Sequence, residues 1–271
     1  FNNELWRIIG VFGNNVKLVR SEKLGDLSWD SSEESINAGG GVNEWSQADL
    51  KNYLNTMYYG GTSVTCYGGS KNSTTTCPTN TIDETSKSLI DYHTWNIGAI
   101  DVTDTTIVNQ ETFALNTVPF YNAERGNVTG KICNGGGGCN DTVERTTEWP
   151  GYVGLPYVTD WAYASSESDC ETNMNAGDID FDNGIFNMTC KKNNWMHHGT
   201  TDIEDATWYL SPYANPDYAD YVWSVYGVGI TDYGDAANPL SAFPTIYLKS
   251  NILIEGGKGT SINPYILKAG S

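Results

Sequence analysis

Six cysteines carry the most definite chemistry in this sequence: Cys66, Cys77, Cys133, Cys139, Cys170 and Cys190. They fall into three local couples separated by long cysteine-free tracts. Disulfides Cys66–Cys77, Cys133–Cys139 and Cys170–Cys190 are therefore expected among the many connectivities that six thiols allow. Metal binding is the other use of clustered thiols, but no Cys-x-x-Cys occurs and the chain has only three His, so zinc spacing is missing. Three disulfides would place the chain in an oxidising, extracellular setting, at a cell surface or secreted.

The carboxylates suggest one ion. Asp178, Asp180 and Asp182 alternate ahead of Asn183-Gly184, and three such charges held together favour a cation. An EF-hand counted from Asp178 would need Gly and Glu where Asn183 and Thr189 stand, so that pattern fails at both positions. The three Asp remain candidate calcium ligands, beside the plainer expectation of an acidic solvated loop under Cys170–Cys190. No other cofactor is implied. His197-His198, with Asp202, Glu204 and Asp205 nearby, has no third ligand at a standard spacing and reads as surface loop.

Residues 208–233 hold eight aromatics in 26 residues, against 33 in 271 overall, interspersed with Asn215, Asp217, Asp220 and Asp232. Tyr with Asn and Asp on loops gives rigid contact area plus adaptable hydrogen bonds, the chemistry of protein- and sugar-binding surfaces. Tyr209, Tyr213, Asn215, Tyr218 and Tyr233 are the candidate ligand-binding residues, with Tyr213, Tyr218 and Tyr233 expected to be exposed on one side. Trp208, Tyr221, Trp223 and Val225 alternate as strand core would.

Catalytic signatures are missing: there is no Gly-x-Ser-x-Gly, no His-Glu-x-x-His, and no Walker or dinucleotide glycine pattern. The glycine run 135–138 sits between cysteines rather than after a strand, and reads as a flexible tip. Glu34, Glu44, Glu124 or Glu148 could form a glycosidase pair only if the fold brings two of them together. The chain reads as a protein without enzymatic activity, with a glycan-active hydrolase as the third choice.

Charge narrows the partners. With 15 Lys+Arg against 33 Asp+Glu, a formal charge of −18 opposes both nucleic acid and anionic membrane surfaces. No apolar stretch approaches the roughly 20 residues a membrane helix needs, so no membrane insertion by this segment is expected. The chain starts at Phe1 without an initiator Met or signal pattern, and an excised or processed soluble part is expected. Four Asn-x-Ser/Thr sequons, at Asn72, Asn127, Asn140 and Asn187, are what chance gives a chain this rich in Asn, Ser and Thr.

Elements must position these residues. Residues 5–12 and 16–20 flank Gly13-Asn14-Asn15 and predict a hairpin. Ser46-Gln47-Ala48-Asp49 has capping-box form, followed by an apolar face of Leu50, Tyr53, Leu54 and Met57 that ends at Gly60-Gly61. Thr81-Ile82-Asp83-Glu84 opens a second expected helix, to about Tyr92. Beyond Trp95 no helical period persists, and strands are expected at 208–210, 221–226, 245–248, 251–255 and 264–267. No linker divides the chain, so residues 1–271 are read as one α+β domain.

Several segments together resemble a known family. Leu5-Trp6-Arg7-Ile8-Ile9-Gly10, Val16-Lys17-Leu18-Val19-Arg20, and Asn43-Glu44-Trp45-Ser46-Gln47-Ala48-Asp49-Leu50 are followed in order by Trp149-Pro150-Gly151-Tyr152-Val153-Gly154-Leu155, Leu210-Ser211-Pro212-Tyr213 and Tyr247-Leu248-Lys249-Ser250. They are similar to an uncharacterised extracellular domain family of anaerobic Gram-positive bacterial surface proteins, often found behind a pilin-like N-terminal helix and distantly C-type-lectin-like. The resemblance implies twisted antiparallel strands with the terminal strands paired, two helices in the N-terminal half, and a long disulfide-tied loop region. It also implies a ligand surface in the C-terminal part. Ala242-Phe243-Pro244 departs from the family's Val-Arg-Pro, so apolar packing is expected where the family has Arg. The expected function is adhesion or binding through a Tyr-rich loop face, to a surface glycan or protein. The alternative is the globular head of a pilin-like or other surface filament, whose partners are copies of itself.

Overall fold

The computed structural model describes residues 1–32, 40–126, 143–180, 183–198 and 205–270. The predicted hairpin forms from β1 (Trp6–Phe12) and β2 (Asn15–Arg20), with Gly13 at φ +60° in the turn, a conformation glycine adopts without a Cβ clash. On its other edge β2 pairs antiparallel with Thr245–Leu248, from Val19 opposite Thr245 to Val16 opposite Leu248, and that strand pairs with Val153–Gly154. β2 is thus an interior strand, and residues 17–20 are buried.

A second sheet centres on Ala206–Ala214. Tyr221–Tyr226 pairs antiparallel with it and Thr231–Asp235 forms the edge, while Leu240–Ser241 and Asp26–Leu27 continue on the other side. Alternation along these strands feeds two apolar clusters. Trp208, Leu210 and Val222 join Trp29, Trp45, Leu54 and Ile246 in one. Tyr209, Tyr213, Trp223 and Val225 join Ile100, Phe120 and Trp161 in the other. A sheet covered on both faces explains why its strands are buried almost throughout rather than at every second residue.

The first helix starts later than expected. Trp45–Gln47 is a separate 3-10 turn capped by Glu44, and α1 (Asp49–Asn52) follows. The Asp49 carboxylate accepts from the Ser31 amide and hydroxyl instead of closing a capping box. Beyond Asn52 the helix widens into a π-helical stretch, Tyr53–Tyr59, before Gly61 at φ +76°. The second expected helix is one turn, α2 (Glu84–Lys87), capped by Asp83. It does not reach Tyr92, because Ile90 bridges to Leu248 and His93–Asn96 pairs with Glu148–Gly151. Two further helices, α3 (Thr117–Glu124) and α4 (Val158–Tyr163), lie where no helical period was visible. With 36% strand and 15% helix the chain is α+β.

Disulfides Cys66–Cys77 and Cys170–Cys190 are both formed, as the spacing predicts. Cys133 and Cys139 lie outside the described residues, as do residues 135–138, Asn127, Asn140 and Glu34. Phe243 is buried in the second cluster, the apolar packing expected of Ala242-Phe243-Pro244. Among the described residues, no helix is long and apolar enough to cross a membrane.

Candidate binding site

The register of Tyr221–Tyr226 against Thr231–Asp235 sets Tyr221 opposite Asp235 and Trp223 opposite Tyr233, so all four side chains share one face. Tyr221 and Tyr233 are diagonal neighbours whose rings stack at 4.5 Å and 17°. Tyr218, from the preceding turn, stacks on Tyr221 at 4.4 Å and 16°. That turn is fixed by Asn215, whose Oδ1 accepts from the Asp217 amide at 2.7 Å. The result is a ladder of three near-parallel phenol rings, Tyr233 and Tyr221 half-buried and Tyr218 39% exposed at its outer end.

Two expected members are not at the surface. Tyr209 is 2% exposed, a strand residue in the second cluster. Tyr213 is 8% exposed, against Tyr233 at 4.4 Å and Trp223 at 5.0 Å. Pro212 suggests a strand end, but the strand runs on to Ala214, with an irregularity between Trp208 and Pro212 that shifts its register on Tyr221–Tyr226. Burial pushes the Tyr213 phenol above its ordinary pKa, partly offset by a hydrogen bond with the Asn215 side chain. Tyr221, read in the sequence only as core, belongs to the ladder; its place follows from the pairing register, which no local signal specifies.

Acidic groups flank the rings. The Asp235 carboxyl is raised by burial, with Asn238 pulling it back. Asp232, on the opposite face of the same strand, is raised to about 6 by burial. A carboxyl with a raised folded-state pKa contributes its full stability below the unfolded value near 3.8 and loses it as pH climbs toward 6. Asp232→Asn is therefore expected to be near neutral at pH 4 and to stabilise by about 2–3 kcal/mol at pH 7.5, read by urea unfolding at the two pH values.

The other candidates lie on different elements. Asp178 is exposed and Asp180 accepts from the Asn183 amide and side chain at 3.1 and 2.8 Å, both on the hairpin Gly177–Asp180/Ile185–Met188. Asp182 lies outside the described residues, and among those described no three His, Cys, Asp or Glu are grouped to hold a metal. His197 and His198 lie on a loop, both half-buried. His198 stacks on Phe243 at 4.1 Å and burial lowers its pKa to about 4, and burial likewise lowers His197. Asp202 and Glu204 lie outside the described residues. Glu44 is buried and accepts from the Ser46 and Thr146 amides, while Glu148 is exposed.

Sequence reasoning missed a second concentration of charge, at the start of α4. Lys17 of β2 is fully buried, with Nζ 2.5 Å from Asp160 Oδ2. Asp160 Oδ2 also accepts from the Tyr157 amide at 2.8 Å. Glu124, at the end of α3 and fully buried, accepts from the Val158 amide at 2.8 Å, Ser211 Oγ at 2.9 Å, the Thr159 hydroxyl, and Arg125 Nη1 at 3.3 Å. Arg125 Nη2 stands 3.7 Å from Asp160 Oδ1 and links the two carboxylates. Its guanidinium lies 3.7 Å from the Tyr121 ring centroid and 4.2 Å from that of Tyr157. Two cations and two anions, desolvated together, are held by these contacts between the first sheet, α3, α4 and Ala206–Ala214.

No protein-family model, no curated protein and no solved structure matches this chain.

Proposed function

We propose that this protein is an extracellular binding module of C-type-lectin-like architecture, presenting the Tyr218–Tyr221–Tyr233 ladder to a glycan at a cell surface. The observation that carries the reading is the ladder itself. Three rings stack in order from the half-buried Tyr233 to the exposed Tyr218, which leaves an outward aromatic face for the apolar side of a sugar ring. Asn215 and Asp235 stand beside it as hydrogen-bonding groups. The disulfides Cys66–Cys77 and Cys170–Cys190 suit an oxidising compartment, and the pairing of β2 with Thr245–Leu248 joins strands from near both ends, as lectin-like folds do.

Tyr218 sits on a turn, so Tyr218→Ala should leave the fold intact. On a glycan array the wild-type protein should capture a defined set of sugars, and Tyr218→Ala should weaken that capture at least about tenfold, a change of about 1.4 kcal/mol. A wild-type protein that captures no glycan, or a variant that binds equally well, removes the reading.

The second reading is the globular head of a surface filament, and a separate observation favours it. The hairpin Ile252–Gly256/Ile266–Ala269 and its loop expose Leu253, Ile254, Ile262, Tyr265 and Ile266. Residues 249–271 also carry Lys249, Lys258 and Lys268 against Glu255, a basic apolar arm on an acidic body. Such a patch suits a protein partner, including another copy. Sedimentation separates the readings, since a filament head grows with concentration through contacts of about 1,000 Å² or more.

A further inference from the structure

We propose that Lys17 and Asp160 are joined by an intramolecular isopeptide bond, from Lys17 Nζ to Asp160 Cγ, which the folded protein forms on itself with loss of one water. The inference is independent of what the tyrosine ladder binds. It rests on the placement of an amine and a carboxyl in direct contact, 143 residues apart in sequence and closed off from solvent.

Nζ lies 2.5 Å from Oδ2, one bond away from the carbon that it would attack. Holding the two groups this way replaces a bimolecular encounter with a positioned one, the condition under which effective molarities become very large. The amine is boxed by aromatic rings, with Nζ 4.0 Å from the Tyr157 centroid, 5.6 Å from those of Phe12 and Tyr247, and 5.8 Å from that of Trp95. Tyr157, Tyr247 and Trp95 are themselves buried, so the box keeps out the water that would stabilise the ammonium and later hydrolyse the product. Burial lowers the Lys17 pKa to about 8 despite the opposing pull of Asp160, which favours the neutral nucleophilic amine.

The atoms balance without any outside reagent. The ammonium passes one proton to Oδ2 across the short contact, giving a neutral amine and a carboxylic acid. Nζ then attacks Cγ, and the C=O pair moves onto Oδ1, which faces Arg125 Nη2 at 3.7 Å, a cation placed where negative charge develops. A second proton from nitrogen goes to Oδ2, the Cγ–Oδ2 bond breaks, and water leaves. One proton stays on the amide nitrogen. The starting ion pair and the final amide are both neutral overall, so no net charge is created in the interior. Glu124 is a positioning residue in this scheme, because its bonds to the Val158 amide and Thr159 hydroxyl fix the turn that carries Asp160.

Mass spectrometry of the wild-type protein after disulfide reduction decides the matter. The intact mass should fall about 18 Da, one water, below that of the sequence. Trypsin should leave Lys17 uncut and join residues 8–20 to residues 146–191 as a single branched peptide. Lys17→Arg, which keeps a cation but cannot form the amide, should show the full sequence mass. Asp160→Asn should lose about 17 Da, an ammonia, through the same attack. A wild-type protein with the full sequence mass and separate 8–17 and 146–191 peptides overturns the proposal. So does a mass deficit that maps elsewhere, for example to a succinimide.

Discussion

Glu124→Ala is expected to destabilise the protein by about 3–5 kcal/mol, the range found when one partner is removed from a buried charged network. The side chain is fully buried, and its two oxygens serve the Val158 amide, the Ser211 and Thr159 hydroxyls and the Arg125 guanidinium. Alanine would leave those donors desolvated and unanswered. Glu124→Gln keeps the volume and one acceptor, so a loss of about 1–2 kcal/mol is expected. The pH dependence separates the two contributions. Burial raises the Glu124 pKa, although Arg125 and the hydroxyls pull it back. The stability linked to its protonation is therefore complete below the unfolded carboxyl range and declines as pH rises through the folded value. Glutamine cannot ionise, so the gap between wild type and Glu124→Gln should narrow as pH rises. Urea unfolding between pH 4 and 8 measures both the gap and its slope. A Glu124→Ala protein as stable as wild type would mean that the network contributes nothing.

That network shows where sequence reading stops. Val16-Lys17-Leu18-Val19-Arg20 is a β-rich run, and the strand is there. Yet β2 has neighbours on both edges and packing on both sides, so both of its faces are interior and its lysine is buried. Lys17 can stay there only because Asp160, far along the chain, meets it. α3 was invisible for a related reason. Its buried side is Thr117, Phe120 and Glu124, and two of those three are polar residues satisfied by distant partners, so the helix has almost no apolar period to read. The hairpin at Gly13 and the pairings Cys66–Cys77 and Cys170–Cys190 were legible because their determinants are local in sequence. The tyrosine cluster was legible as composition, but which rings face outward depends on strand register. Tyr213 lost its exposure to a strand that continues through Pro212, and Tyr221 gained its place from a diagonal contact across two strands.

Trp208→Ala is expected to cost about 3–5 kcal/mol, the range for truncating a buried tryptophan. The ring is fully buried on the face of the sheet opposite the tyrosine ladder, and Nε1 donates to the Leu27 carbonyl at 2.9 Å. Gly234, on the edge strand, leaves room for it. A Cβ built there would lie 3.3 Å from the ring's Cη2, so the indole fills the space that the glycine opens. Alanine would empty that space and strip the Leu27 carbonyl of its donor, at the place where Asp26–Leu27 closes one side of the sheet. Trp208→Phe should recover part of the packing but not the hydrogen bond, with a loss near 2 kcal/mol. The contrast with Asp232→Asn is informative, because both residues lie on this face. One variant removes filled volume and should destabilise at every pH; the other removes an unwelcome charge and should stabilise only above the carboxyl range. If both variants shifted the urea midpoint in the same direction at pH 7.5, packing and charge could not be acting separately on this face.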